Sequence, residues 1–334
     1  MSIPQNRQLR LARIPVGLIA PGDFALASEP VPEPGEGQVL VRTRFVSLDP
    51  TNRIWANGAP SYLPAVKIGE VMRSVGVGVV ECSRAASLPE GTLVEGMLGW
   101  QEYTLAKAAE LSRIVPYPGV PLERYPGVAP HIVLTAYFGL KEVGAAKPGE
   151  TLVVSAAAGA VGSIAGQMGK LMGMRVVGIA GGAEKCAWLR HIGFDGVIDY
   201  KSEDVSAGLK AHCPKGVDVY FDNVGGKILD TVLARMNLFG RVAVCGLIAN
   251  YNATEPVPGP YNFGAVLIKR LTVRGFIVMD YYGRKDAALA EIVPWVGEGR
   301  LQWKVDVVEG LENIPSAINR LFDGSNKGKL VVRV

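Results

Sequence analysis

The chain has 334 residues, 49% of them hydrophobic and 20% charged, with 35 basic against 31 acidic side chains for a net charge of +4. That length fits two domains, and the composition is that of an ordinary globular protein whose scattered basic residues argue against a nucleic-acid partner. No apolar run approaches the ~20 residues of a membrane span and no apolar signal region follows the N-terminus, so a cytoplasmic protein without a membrane partner is expected.

From Gln8 to about Leu122 the chain reads as short alternating strands broken by Gly and Pro. Val39, Val41, Thr43 and Phe45 alternate with Leu40, Arg42 and Arg44, and the segments Val77 to Cys82 and Gln101 to Leu105 read similarly. The stretch Pro116 to Pro130 marks a boundary. Beyond it, strand and helix alternate, the pattern of a doubly wound parallel sheet. Strands are predicted at Leu152 to Ser155, Arg175 to Ala180, Gly196 to Asp199, Val217 to Asp222, Arg241 to Gly246 and Leu271 to Val278. Helices are predicted at Ala160 to Met172, Ala183 to His191, Val205 to His212, Lys227 to Met236, Phe263 to Lys269 and Ala287 to Glu298. The first helix shows Val161, Ile164, Ala165, Met168 and Met172 on one face. After Gly299 the chain returns to strand-like segments, Val305 to Val308 and Lys329 to Val334, the last expected to add an edge to the N-terminal β domain. The expected division is residues 1–124 with 302–334 as a β-rich domain and 125–301 as a Rossmann-type domain, with a cofactor cleft between them.

The segment Ala156-Ala157-Ala158-Gly159-Ala160-Val161-Gly162 lies between the first of these strands and the first helix. A turn poor in side chains at that place lets a dinucleotide pyrophosphate approach the backbone and the helix N-terminus. The fingerprint's first glycine is Ala157 here, while the approach position Gly159 and the packing position Gly162 are kept. The second strand ends Gly178-Ile179-Ala180-Gly181-Gly182 with no acid until Glu184, where an NADH site would carry one. The glycines leave room for a 2′-phosphate and Lys185 can supply its counter-charge, which favours NADPH. Asn223 and Gly246 follow later strands, on the side where a nicotinamide would sit. Asn223 reads equally as a turn-stabilising residue. Cys82, Cys186, Cys213 and Cys245 are far apart, with no Cys-x-x-Cys pair, so they read as buried thiols and exclude a zinc ribbon. With only His131, His191 and His212 besides, no metal is expected.

Several segments in order, Ser47-Leu48-Asp49-Pro50, Thr135 to Gly139, Ala156 to Gly162, Gly181 to Cys186, Phe221 to Gly226, Cys245 to Asn252 and Asn326 to Lys329, resemble the zinc-independent medium-chain dehydrogenase/reductases. The likeness runs almost end to end and is to the branch of prostaglandin reductases, leukotriene hydroxydehydrogenases and alkenal double-bond reductases, which includes curcumin reductase. It implies a GroES-like substrate domain, a Rossmann domain and a homodimer. It implies that Gly159, Ala160, Val161 and Gly162 hold the pyrophosphate and that Lys185 with Tyr200 holds the 2′-phosphate. Asn223, Cys245, Gly246, Tyr251, the backbone of Phe276, Ile277 and Val278, and Asn326 complete the NADPH site by the same resemblance. Tyr200 reads otherwise as a strand-end aromatic. The chain departs from many relatives at Thr51, where they carry Tyr, and at Ala129 to Leu134, where they carry a Gly-Met-Pro-Gly-like turn; both changes bear on substrate specificity.

The expected reaction is NADPH-dependent reduction of the α,β double bond of enals and enones. Hydride delivery to an activated double bond needs only a donor that polarises the carbonyl oxygen. Tyr251 is the candidate phenol for the developing enolate and for protonation at the α-carbon, with Tyr62 the second candidate. Tyr251 could instead only order its loop or contact cofactor. A quinone oxidoreductase of the same superfamily and a non-catalytic NADPH-binding homologue are the alternative readings.

Overall fold

The first seven strands follow one another with little helix, as Gly and Pro punctuation dictates. They are β1 (Gln5–Leu11), β2 (Phe24–Pro30), β3 (Gln38–Ser47), β4 (Gly76–Ser83), β5 (Leu93–Gly96), β6 (Tyr103–Lys107) and β7 (Ser112–Arg113), with the short helix α1 (Thr51–Trp55) after β3. The computed structural model describes residues 4–59, 61–115, 117 and 119–334. Residues 1–3 of the expected first domain, and Pro116 and Pro118 of the expected boundary stretch, lie outside the described residues.

After β7 the texture changes. The chain continues as α2 (Pro130–Phe138), β8 (Thr151–Ser155), α3 (Ala160–Leu171), β9 (Arg175–Ala180), α4 (Ala183–His191), β10 (Gly196–Asp199), α5 (Val205–His212) and β11 (Val217–Asp222). Then come α6 (Gly226–Arg235), β12 (Met236–Val244), α7 (Gly264–Ile268), β13 (Thr272–Gly275) and α8 (Lys285–Gly297). The end of the chain supplies β14 (Val305–Glu309), α9 (Ile314–Ala317), α10 (Arg320–Asp323) and β15 (Lys329–Arg333). Two units result: Met1–Pro116 with Pro121–Pro126 and Val305–Val334, and Tyr117–Val120 with Gly127–Lys304.

In the first unit a seven-stranded sheet runs β14-β15-β3-β4-β5-β7, with β6 also paired to β3, beside a two-stranded β1-β2 ribbon. On β3, Val39, Val41, Thr43 and Phe45 are buried while Arg42 and Arg44 are exposed, the alternation expected of a strand. The C-terminal strand does not form the sheet edge. β15 lies between β3 and β14, antiparallel to the first and parallel to the second, so the edge is β14. Leu330, Val331 and Val332, which alternate between the two faces of β15, are all buried.

The second unit is a six-stranded parallel sheet in the order β10-β9-β8-β11-β12-β13. Every residue of β8 is buried, as the run Thr151-Leu152-Val153-Val154-Ser155 predicts. Helix α3 is buried well beyond the expected stripe, since Gly162 to Gly169 are all covered while Val161 and Met172 are only half-buried. Its glycines allow that approach: a Cβ on Gly166 would lie 1.9 Å from Phe194 Cζ, and one on Gly169 would lie 2.6 Å from Leu152 Cδ2. β12 starts five residues before the predicted strand and ends two residues before it, and β13 ends three residues early. Cys245 and Gly246 leave β12 because both their N–H groups turn to the Asp222 carbonyl, at 2.8 and 3.1 Å. Phe276 leaves β13 to pack edge-on against Phe221 in the interior.

Candidate active site

The sheet order of the second unit reverses between β8 and β11, which grow outward to opposite sides. In such folds the crevice outside the carboxyl ends of the strands at the reversal is the ligand site. Ser155 closes β8 and Asp222 closes β11, and both are fully buried. Ser155 Oγ donates to Asp222 Oδ1 at 3.0 Å, and the Asn223 N–H donates to Ser155 Oγ at 2.9 Å. The Asn223 side-chain amide donates to the Ser155 carbonyl at 2.7 Å. Asp222 Oδ1 also accepts from Tyr220 O–H at 2.7 Å and from the Val224 and Gly225 N–H groups at 2.9 and 3.0 Å. Loss of hydration raises the Asp222 carboxyl above its ordinary value in spite of these donors. The network fixes the turn carrying Asn223. Reading along the chain misses it, although a Ser and an Asp closing two apolar runs are the signal for it.

The turn between β8 and α3 brings together Gly159, Ala160, Val161 and Gly162. Gly159 precedes the helix, whose N-terminus has no side-chain cap. A Cβ on Gly162 would lie 2.5 Å from the Ala156 carbonyl oxygen and 3.0 Å from Ala157 Cα, so helix and turn meet at backbone distance. The left-handed residue of the turn is Ala156, at φ 46°. Helices α4 and α6 likewise start after glycine, Gly182 and Gly225, without a side-chain cap, whereas Asp204 caps α5 by accepting from Ala207 N–H at 2.8 Å. Uncapped N–H groups beside a turn without side chains suit the negative groups of a dinucleotide.

Lys185 lies in the first turn of α4 and is half-buried. Tyr200 follows β10 and lies against Gly181, where the sequence predicts open space: its ring fills the position a side chain on 181 would take. Asn223, Cys245, Gly246 and Tyr251 come together, because the loops after β11 and β12 are joined backbone to backbone. Ile248 N–H reaches the Asn223 carbonyl at 3.3 Å and Ala249 N–H the Val224 carbonyl at 3.1 Å. The Tyr251 hydroxyl accepts from Leu247 N–H at 2.9 Å, and a Cβ on Gly246 would lie 3.2 Å from that hydroxyl. Loss of hydration, with the Asp222 carboxyl adding to it, pushes the Cys245 thiol up to about 12, so it is neutral and no nucleophile. Phe276 is buried, and Ile277 precedes the seven-residue 3-10 helix Val278–Arg284.

In the first unit the Tyr62 hydroxyl is hydrogen-bonded to the Thr51 hydroxyl, and burial raises its pKa against the effect of that bond. A phenol therefore stands beside the position where Thr51 departs from the family pattern. Asn326 donates to the Gly328 carbonyl at 2.9 Å, and Lys329 Nζ, fully buried, reaches the Leu48 carbonyl at 2.9 Å and Asp49 Oδ1 at 2.5 Å. These bonds tie the C-terminal motif to Ser47-Leu48-Asp49-Pro50.

Comparison with known proteins places this geometry. A family described as "N-terminal domain of oxidoreductase" matches residues 7–114 and one described as "Zinc-binding dehydrogenase" matches residues 160–295. The NADPH-dependent curcumin reductase of Escherichia coli K12 is 43% identical over 99% of this chain and 97% of its own. The chain belongs to the medium-chain dehydrogenase/reductases. Within that family the tobacco (Nicotiana tabacum) 2-alkenal reductase (NADP(+)-dependent) is 41% identical over 91% of this chain and 89% of its own. CurA from Vibrio vulnificus in complex with NADPH superposes with a TM-score of 0.91 at 40% identity, covering 98% of this chain and 99% of that one. Among the described residues no group of three or more His, Cys, Asp or Glu is placed to hold a metal ion.

Proposed function

We propose that this medium-chain reductase uses NADPH to reduce the carbon–carbon double bond of α,β-unsaturated aldehydes and ketones. The full-length likeness to an NADPH-dependent curcumin reductase, shared with an NADP(+)-dependent 2-alkenal reductase, carries the reading. The glycine turn, the uncapped helix starts and the acid-free end of β9 support it. We take the second unit as the cofactor domain and the first as the substrate domain.

When bound, NADPH supplies a hydride to the substrate β-carbon, and the electron pair of the double bond moves toward the carbonyl oxygen. The turn Ala156 to Gly162 holds the pyrophosphate through backbone N–H groups, and Lys185 with Tyr200 holds the 2′-phosphate. Asn223, locked by Ser155 and Asp222, with Cys245, Gly246 and the backbone of Phe276, Ile277 and Val278, forms the nicotinamide side. Tyr251 donates a hydrogen bond to the developing enolate oxygen, its proton passes to the α-carbon, and the phenolate left behind takes a proton from water. Accepting from Leu247 N–H makes its own O–H a stronger donor. Tyr62 is the second phenol, hydrogen-bonded to the Thr51 hydroxyl.

We also read the enzyme as a cytoplasmic homodimer. All four cysteines are free, as in a reducing compartment, and no helix among the described residues is long and apolar enough to cross a membrane. Edge strand β13 is exposed along its whole length, flanked by exposed Leu238, Phe263, Leu267 and Ile268. A second copy pairing across a two-fold axis would continue the sheet and cover that apolar surface.

Steady-state rates on a small enone and a benzoquinone test the reaction class. We expect NADPH oxidation with the enone to exceed that with the quinone by at least about tenfold in kcat/KM. The reverse order would make the protein a quinone oxidoreductase, and no turnover with either would leave a cofactor-binding homologue.

A further inference from the structure

The missing acid at the end of β9 has a physical guard. A Cβ on Gly181 would lie 2.8 Å from Cε1 and Cζ of Tyr200 and 2.9 Å from its hydroxyl oxygen, closer than side chains pack. Gly182 follows at φ 94°, a conformation that other residues rarely adopt. An NADH site places its ribose-binding carboxylate at this strand end. Here one position is filled by a neighbouring ring and the next is closed by its backbone.

The backbone that carries this ring is itself fixed, while the residue stays 44% exposed. Asp199 Oδ1 accepts from the Gly182 N–H at 2.8 Å and from the Lys201 N–H at 3.0 Å, and Tyr200 N–H donates to the Ala180 carbonyl at 3.1 Å. One carboxylate therefore ties the turn after β9 to the turn after β10, with Tyr200 between its two amide partners. The Gly182 amide holds that carboxyl below its ordinary value, as expected of an ion spent on backbone donors.

We propose that Asp199 and Tyr200 form a coenzyme-selectivity clamp: Tyr200, seated on Gly181 by Asp199, bars an acidic side chain there, so the site cannot become NADH-binding by a change at residue 181 alone. Asp199 is a positioning residue in this arrangement. The inference rests on the reading of this strand end as the NADPH adenosine site.

Fluorescence titration of the full-length protein with NADPH and with NADH tests the clamp without turnover. Coupled residues depart from additivity, so we expect Gly181→Ala to weaken NADPH by about fivefold or more in the native chain but by less than about twofold in a Tyr200→Ala background. Gly181→Asp alone gains no NADH affinity, whereas Gly181→Asp with Tyr200→Ala binds NADH about tenfold or more tightly than the single variant. Equal costs of Gly181→Ala in both backgrounds, or equal NADH affinity with and without Tyr200, overturn the proposal. Asp199→Ala should match the loss of Tyr200→Ala while Asp199→Asn, which keeps an acceptor oxygen, recovers most of it. Equal losses in those two remove Asp199 from the clamp, and this pair decides the matter if a double variant does not fold. Should the native chain bind both dinucleotides equally, the NADPH reading fails, yet the coupling between 181 and 200 is still measured on either one.

Discussion

Ala157 stands where the dinucleotide fingerprint has its first glycine, and the backbone shows why alanine serves. The left-handed residue of the turn is the preceding one, Ala156, at φ 46°, while Ala157 is fully buried and donates its N–H to the Ile179 carbonyl at 3.0 Å. Ala156 carries a backbone cost of about 1–2 kcal/mol, which the packing of α3 onto the turn offsets. Lys185→Ala should weaken NADPH by about tenfold or more and leave NADH nearly unchanged, read as dissociation constants by titration; equal loss for both removes Lys185 from the 2′-phosphate site. Tyr251→Phe should lower kcat by about 10²-fold with NADPH affinity kept within a fewfold, and full turnover would refute its role as donor. The pairing of Asn223 with the Tyr251 loop is not legible along the chain, because it depends on backbone bonds between segments more than twenty residues apart. Asp199 and Asp222 escape notice for the same reason: what each carboxylate accepts from is set by neighbouring strands.

Among the elements, β9, β10 and β11 match their predicted bounds, since Gly or Asp punctuates each of them. β12 does not: it starts at Met236, where the sequence predicts a helix end, and Phe239 within it takes φ 61°. Helix α3 joins β9 through a charge pair that sequence spacing does not reveal: Lys170 Nζ lies 2.7 Å from Asp195 Oδ1, and Asp195 Oδ2 accepts from Val176 N–H at 2.7 Å. Burial opposes ionisation of Asp195, but the Lys170 ammonium and the Val176 amide outweigh it and hold the carboxyl below its ordinary value. A depressed carboxyl contributes stability that is present above the unfolded value, about pH 4, and is lost as pH falls through the folded one. The melting temperature of Asp195→Asn should therefore lie below that of the native chain at pH 6, and the gap should close as pH falls below the ordinary carboxylate value of about 4. A gap that does not narrow with acid would mean that the ion pair contributes nothing through its charge.

For the molecule as a whole, the two edges of the parallel sheet differ. β10 has α4 and α5 packed against it, whereas β13, at the far edge of the same sheet, is exposed at all four residues. Soluble proteins seldom leave such an edge bare beside Leu267 and Ile268, which are 81% and 70% exposed. Light scattering should give twice the 35.5 kDa chain mass for the native protein and the single mass for Leu267→Glu with Ile268→Glu. A native monomer would contradict the dimer. The two-domain α/β architecture was legible from composition breaks and periodicity, while the inner position of β15 was not, because strand order is a long-range property.

Tracing the hydride tests the reaction most directly. With NADPH carrying deuterium at the transferred position and a simple enone as substrate, we expect a saturated ketone with the deuterium on its β-carbon. Deuterium on the carbonyl carbon of an allylic alcohol would show carbonyl reduction and contradict double-bond chemistry at this site.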